Sequence, residues 1–150
     1  MNAETHSLGR FDITVVGGGV MGGSTALPLA RAGLKVAVFD RRGLGLEASG
    51  RNAGSVSPMI KKSELVAHAI EGYQMWMSSK DWLGADIGAH TKPGMIVAYN
   101  QTEAEALERL VTDRCANGAK IELISGKKAI EKEPQLSSGI TLAAYSEVDG

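Results

Sequence analysis

Three glycines and one aspartate in the first forty residues have the types and spacing of a site for two linked phosphates and a ribose. Gly17, Gly19 and Gly22 follow the pattern G-x-G-x-x-G, and Asp40 comes eighteen residues after the last of them. Glycine permits a tight turn, lets the backbone approach a pyrophosphate, and lets a helix lie against a sheet. An acid at this distance accepts hydrogen bonds from the hydroxyls of an adenosine ribose. These residues therefore predict dinucleotide binding.

A strand, a helix and a second strand must position these groups, and the sequence predicts all three in that order. An apolar run from Ile13 enters the glycines, a helix follows from about Val20 to Ala32, and Gly33 ends it. Alternating apolar residues then predict a strand that leads to Asp40. A glycine-rich turn in some other α/β protein is the alternative, but it leaves Gly33 and the acid unexplained. The predicted phosphate-binding residues are Gly17, Gly18, Gly19, Val20, Met21 and Gly22.

The segment after Asp40 distinguishes between kinds of dinucleotide. A nicotinamide-binding domain would pass directly into another helix and another strand. Residues 41–58 are instead rich in Gly, Ser, Ala and Asn, and a loop of this length in a compact domain is usually functional or disordered. This segment argues against an NAD-dependent dehydrogenase. The charge of Asp40 argues against NADP, because it would repel a 2′-phosphate.

The composition limits the other functions to consider. The chain has 150 residues and a mass of 15.7 kDa, about one domain with a core of its own. A net charge of −1 predicts no attraction to nucleic acid, and the single cysteine, Cys115, cannot form an intrachain disulfide. No His/Cys cluster predicts a metal site. Residues 1–10 lack the apolar stretch of a signal peptide, and no run approaches the roughly 18 apolar residues of a membrane span, so we expect a cytoplasmic protein.

The remainder of the chain predicts a second region of mixed helices and strands. We expect a domain boundary between residues 62 and 63, with residues 1–62 belonging to the dinucleotide-binding part. The predicted helices are Ser63–Lys80, one from a Thr102–Glu105 capping box to about Asn117–Gly118, and one from a Ser125 cap to Lys132. The predicted strands are Met95–Tyr99, Ile121–Ile124 and Ile140–Tyr145.

The loop Ala48-Ser49-Gly50-Arg51-Asn52-Ala53-Gly54, together with the glycine motif before it, resembles the FAD-dependent oxidoreductases of the D-amino-acid oxidase type. That family includes glycine and sarcosine oxidases, D-amino-acid dehydrogenases and opine-type or hydroxyproline-type amine dehydrogenases. Three later segments look similar to the family as well. They are Gly94–Ala98, similar to the first strand of its substrate domain, Glu131–Leu136, similar to its E-x-E-P-x-L stretch, and Tyr145–Gly150, similar to the approach to a D-G-x-V-D-P segment.

The resemblance implies an α/β fold, in which a Rossmann-like FAD-binding βαβ unit precedes the start of an α+β substrate domain. It places the glycine motif on the FAD pyrophosphate, Asp40 on the ribose and Arg41 near the adenosine. The second loop would run past the pyrophosphate towards the isoalloxazine, and its residues are Ser49, Gly50, Arg51, Asn52, Ala53 and Gly54. Arg51 would either stabilise an anionic reduced flavin or make a surface or pyrophosphate contact. This loop has no His or Cys for a covalent link, so noncovalent FAD is expected.

The activity that the resemblance implies is oxidation of an amine, a D-amino acid or an N-alkyl amino acid, by hydride transfer to the flavin. A non-catalytic FAD-binding fragment and a subunit of a heteromeric dehydrogenase remain alternatives, with an NAD-dependent dehydrogenase less favoured. Family members are much longer than this chain, so we expect a fragment of a longer protein or one completed by a second polypeptide. No catalytic residue is therefore predicted. Apolar residues are expected to be left exposed without the missing half, namely Trp76, Met95, Ile96, Val97 and Leu110.

Overall fold

The computed structural model describes residues 8–150, which form two compact units divided between Gly54 and Ser55. This division falls eight residues before the predicted boundary at 62/63, because the segment from Ser55 onward is bonded within the second unit. The amide of Val56 donates to the carbonyl of Gly150 at 2.6 Å, for example. The expectation that no signal peptide is present concerns residues 1–10, of which the first seven lie outside the described residues.

The first unit is a βαβ arrangement, as predicted. Strand β1 (Ile13–Val16) leads into helix α1 (Val20–Arg31), and strand β2 (Val36–Phe39) pairs parallel to β1 with Ile13 opposite Val36. The helix ends one residue earlier than predicted, with Ala32 as its C-cap. Gly33 follows at φ +87°, a left-handed conformation that favours glycine, and it turns the chain back towards β2.

Apolar side chains of the first unit are widely exposed. Val16 at the end of β1 is 88% exposed, Met21 in α1 is 78% exposed, and Leu44 after β2 is 71% exposed. The residues that we expected to be exposed, Trp76, Met95, Ile96, Val97 and Leu110, are half-buried, so that prediction was wrong. These five residues belong to the second unit, whose own helices cover its sheet. The first unit has only a two-stranded parallel sheet and one helix, which is too little structure to bury its apolar side chains.

The second unit contains a three-stranded antiparallel sheet with β5 (Leu142–Ser146) between β3 (Gly94–Ala98) and β4 (Glu122–Ser125). Successive residues of a strand point to opposite faces, so β3 and β5 each contribute to two clusters, whereas β4 contributes to one. One cluster forms against helix α4 (Gln101–Ala116) and contains Ala98, Ala104, Leu107, Val111 and Ala144. The other includes helix α5 (Gly126–Lys132) and contains Ile124, Ala129, Ile140 and Ala143.

Two helix predictions in this unit need correction. The single helix predicted over Ser63–Lys80 is a 3₁₀ turn followed by α2 (Val66–Met77) and α3 (Ser79–Leu83), with the break at Ser78. The capping box of α4 lies two residues before the predicted one. Asn100 Oδ1 accepts from the amide of Glu103 at 3.0 Å, and Glu103 Oε2 accepts from the amide of Tyr99 at 2.7 Å.

The predicted C-terminal end of α4 and the predicted N-cap of α5 agree with the structure. Helix α4 stops at Ala116, and Gly118 follows at φ +95°. Ser125 is the N-cap of α5, where its hydroxyl oxygen accepts from the amide of Lys128 at 3.3 Å.

Candidate functional site

The turn between β1 and α1 has the tight geometry that its glycines predict. Gly17 lies at φ +103°, and its amide extends the parallel ladder by donating to the carbonyl of Phe39 at 2.7 Å. A Cβ added to Gly22 would collide with the carbonyl oxygen of Gly17, so glycine is needed for the first turn of α1 to lie against the end of β1. The structure thus supports the turn and packing roles expected of these two residues.

Helix α1 presents free backbone donors at its start. Gly19 is the N-cap and has no side chain to satisfy the first amides, and the helical ladder begins with the Gly23 amide donating to the Gly19 carbonyl at 2.9 Å. Within the described residues, the N–H groups of Gly19, Met21 and Gly22 have no hydrogen-bond partner. Such donors, at the positive end of a helix dipole, form a site for an anion.

The carboxylate of Asp40 is held by backbone amides of both the glycine turn and the following loop. Oδ2 accepts from the amide of Gly18 at 2.8 Å, and Oδ1 accepts from those of Arg42 at 2.8 Å and Gly43 at 3.1 Å. The Arg42, Gly18 and Gly43 amides lower the pKa of Asp40, and the positive charge of Arg41 adds a smaller effect in the same direction. Asp40 is therefore an exposed, charged acceptor fixed beside the glycine turn.

The segment Arg41–Glu47, which we name the closing loop, folds back onto the glycine turn. The amide of Gly45 donates to the carbonyl of Gly18 at 2.9 Å, and the side chain of Leu44 occupies the space where a Gly18 side chain would lie. Arg42 Nη1 and Glu47 Oε1, at the two ends of the loop, are 2.7 Å apart. Leu44 and Gly45 were not predicted as site residues, because no periodicity or motif marks a loop that closes on a turn.

The predicted flavin-facing loop begins as a 3₁₀ helix over Ala48–Arg51. Its Ser49 is half-buried, and the Ser49 hydroxyl oxygen accepts from the amide of Val20 at 2.9 Å. A Cβ added to Gly50 would collide with the carbonyl oxygen of Gly45. Ser49 and Gly50 thus attach the start of this loop to the glycine turn and to the closing loop.

The rest of that loop does not engage the glycine turn. Asn52 Oδ1 accepts from the amide of Gly54 at 2.7 Å, which is a local turn, and Gly54 itself lies at φ +80°. Arg51 and Ala53 are exposed, and within residues 8–150 the Arg51 side chain has no ion-pair or hydrogen-bond partner. The structure therefore brings together Gly17 to Gly22, Asp40 and Ser49. Among the described residues, no hydrogen bond joins Arg51 to Gly54 to this group.

The described part of the chain shows neither a metal-binding cluster nor a membrane-spanning helix. Among residues 8–150 no three His, Cys, Asp or Glu side chains are grouped so that they could hold a metal ion. No helix in the same range is both long enough and apolar enough to span a membrane.

These groups fit the pyrophosphate and ribose of a dinucleotide. Three free N–H donors lie at the turn, and a Cβ at Gly19 would lie only 2.8 Å from Ser49 Oγ, so a side chain at this position would have to displace the Ser49 hydroxyl. The fixed carboxylate of Asp40 is bonded to Gly18, the residue directly before the first of these donors. An anion and a hydroxyl-bearing ring are the two ligand groups that such donors and such an acceptor bind.

Comparison with known proteins gives one family. The family model described as FAD dependent oxidoreductase matches residues 12–150. Glycine oxidase of Geobacillus kaustophilus is 30% identical over 149 residues, which cover 94% of this chain and 40% of that protein. Its crystal structure matches with a TM-score of 0.82 at 29% identity, again over 94% of this chain and 40% of that one.

Two further relatives carry different names. One of the subunits of opine oxidase from Rhizobium meliloti is 28% identical over 94% of this chain and 41% of that protein. Glycerol 3-phosphate oxidase of Mycoplasma genitalium is 30% identical over 91% of this chain and 37% of that protein. The chain therefore spans about 40% of the length of the curated relatives that it matches.

Proposed function

The chain belongs to the FAD-dependent oxidoreductase family, and from that premise we propose that its first unit binds the adenosine and pyrophosphate of FAD. The observation that carries this proposal is the set of free N–H groups on Gly19, Met21 and Gly22 at the start of α1. They lie one to four residues from Gly18, whose amide already holds the acid expected to bind the ribose.

In this proposal each group has a separate task. The free amides donate to the pyrophosphate oxygens, and the helix dipole stabilises their charge. Asp40 Oδ2 accepts one bond from Gly18 and retains a lone pair for a ribose hydroxyl. Ser49 Oγ accepts from Val20 and keeps its own proton to donate to a phosphate oxygen. We assign Arg41 to the neighbourhood of the adenosine, and its exposure directly after Asp40 supports this assignment.

The residues of the loop past Ser49 are assigned to the flavin side. Gly50, Asn52, Ala53 and Gly54 have small side chains or none, which leaves room for a flat ring system. Arg51 has an exposed, unpaired positive charge among the described residues, and such a charge stabilises a negative charge on a reduced ring or on a phosphate. Bound FAD would supply the two-electron acceptor for the reaction.

We infer that the complete enzyme oxidises an amine, either a D-amino acid or an N-alkyl amino acid. The name of the Geobacillus relative supports an amino acid as the substrate class, since glycine is the simplest amino acid. We place the substrate contacts beyond the 150 residues, because the relatives are more than twice as long. A second polypeptide is the corresponding proposal for partners, and the name of the Rhizobium relative, a subunit of opine oxidase, supports assembly with other subunits.

A second candidate substrate is an alcohol, because glycerol 3-phosphate oxidase is as similar in identity as glycine oxidase is. The test uses the full-length gene product, purified without added flavin. Absorption in the visible region and mass spectrometry of the released cofactor identify FAD. Reduction of the bound flavin without oxygen is then followed with glycine, sarcosine, D-alanine and glycerol 3-phosphate.

Bleaching by an amine, and none by glycerol 3-phosphate, is the expected result. Bleaching by glycerol 3-phosphate alone would replace the amine proposal with the alcohol one. A colourless protein whose apo-form does not bind added FAD would contradict the proposal for the cofactor itself.

A further inference from the structure

The closing loop is attached to the glycine turn by contacts that need no ligand. Just before its start, Asp40 accepts from the Gly18 amide, and in its middle the Gly45 amide donates to the Gly18 carbonyl. Just past its end, Ser49 accepts from the Val20 amide. Both backbone hydrogen-bonding groups of Gly18 are thus occupied by this part of the chain, and so is the first amide of α1.

The Asp40 carboxylate holds this loop at two places at once. Its Oδ1 organises the turn at Arg42 and Gly43, and its Oδ2 fastens that turn to Gly18. No other side chain among the described residues bonds both the glycine turn and the closing loop. The closing loop in turn runs directly into the 3₁₀ helix that contains Ser49.

We propose that Asp40 is a positioning residue for the flavin-facing loop in addition to a ligand of the ribose. The inference rests on the proposed FAD site. Through the closing loop, the carboxylate determines the position of Ser49 and of the residues after it. Loss of the carboxylate should therefore change the surroundings of the flavin, although the carboxylate itself binds the adenosine end of the cofactor.

An asparagine at position 40 tests this function with little change of shape. An ionised carboxylate accepts with both oxygens, whereas an amide accepts with one and donates with its nitrogen. The Asp40→Asn side chain must therefore leave either Gly18 or the Arg42 and Gly43 amides without an acceptor. If Asp40 only bound the ribose, this variant would weaken the adenosine half of the ligand and nothing else.

The experiment compares two ligands on the full-length gene product in its apo-form. AMP contains the ribose and one phosphate but no flavin, so the ratio of the change in Kd for FAD to the change for AMP isolates the flavin end. The variants are Asp40→Asn, Leu44→Ala, which removes the side chain packed at Gly18 without touching the acid, and Asp12→Asn as matched control. Asp12 is another exposed aspartate of this unit, and it accepts from the Lys35 amide at 2.8 Å.

For Asp40→Asn we expect the Kd for FAD to rise about tenfold and the Kd for AMP by a clearly smaller factor. The absorption bands of the bound flavin should also shift at saturating FAD. For Leu44→Ala, the bands should shift while the Kd for AMP stays that of the wild type. The Leu44→Ala result keeps the test decisive if Asp40→Asn does not fold. Asp12→Asn should match the wild type in every measurement.

Equal factors for FAD and AMP with unchanged flavin bands would overturn the positioning role and leave the ribose role intact. Unchanged bands in Leu44→Ala, where Asp40→Asn is not obtained, would also overturn it. A wild-type protein that binds neither FAD nor AMP would overturn the proposed function, and this inference with it.

Discussion

Replacing Gly19 with valine should weaken FAD binding strongly and leave the fold intact. Gly19 lies at φ −81° and ψ −171°, an extended conformation that valine adopts without strain, so folding has no backbone reason to suffer. A Cβ at this position would lie 2.8 Å from Ser49 Oγ, which is closer than such atoms approach, and the valine methyl groups extend further. The side chain would therefore displace Ser49 and occupy the surface where the phosphates are expected.

The size of the effect follows from the donors that are lost. A hydrogen bond to a charged group contributes about 1.5–3 kcal/mol, and blocking the free amides of Gly19 and Met21 removes two of them. The sum is about 3–6 kcal/mol, which raises the Kd by roughly two to four orders of magnitude. The lost bond between Ser49 and Val20 should cost only about 0.5–1.5 kcal/mol of unfolding free energy.

The assay is titration of the apo-form of the full-length gene product with FAD, followed by flavin fluorescence, alongside denaturant unfolding. Gly23→Val is the matched control, because it makes the same change four residues later, at an exposed position where an added Cβ meets nothing within 4 Å. The control should bind FAD like the wild type. A Gly19→Val protein that binds FAD with unchanged affinity would show that the phosphates do not lie on this turn.

Three further predictions concern the acid, a buried pair and the chain on its own. Asp40→Ala should raise the Kd for FAD roughly ten- to a hundredfold. Because the folded-state pKa of Asp40 is lowered, its carboxylate is fully charged above its ordinary pKa of 3.8. The wild-type protein should therefore lose FAD as the pH falls below that value, and Asp40→Ala should show a weaker pH dependence. Dialysis at stepped pH measures both. Asp149→Ala should lower the free energy of unfolding by about 1–3 kcal/mol, because the buried Ser57 hydroxyl, which donates to Asp149 Oδ2 at 2.9 Å, loses its acceptor. A loss of unfolding free energy smaller than that in Ser57→Ala would contradict this. Residues 1–150 expressed alone should be poorly soluble, should bind FAD weakly and should oxidise no amine, because Val16 and Met21 are exposed; a monodisperse, cooperatively unfolding monomer that turns over a D-amino acid would refute it.

The βαβ unit was predictable because its signals are local. Gly33 at φ +87° and the strand that precedes Asp40 are marked by residue type and by alternation over a few positions. The packing role predicted for Gly22 is confirmed, since a Cβ there would collide with the turn.

The contacts across the site were not predictable in the same way. Ser49 and Val20 are separated by 29 positions, and a single hydroxyl accepting a single amide leaves no periodic pattern in the sequence. The fastening of the closing loop on Gly18 depends likewise on loop geometry, which residue types alone do not determine.

The α4 cap shows a different limit. Asn100-x-x-Glu103 and Thr102-x-x-Glu105 both match a capping pattern, and the end of strand β3 at Ala98 decides between them. The error about exposed residues has a related cause, because the sequence does not reveal that the antiparallel sheet is covered by helices of its own unit.

The central claim is that the amides at the start of α1 bind the pyrophosphate of FAD, and a crystal structure of the full-length gene product with FAD tests it most directly. We predict that pyrophosphate oxygens lie about 2.7–3.2 Å from at least two of the amide nitrogens of Gly19, Met21 and Gly22. Pyrophosphate oxygens bound elsewhere, with these amides facing water, would contradict the claim.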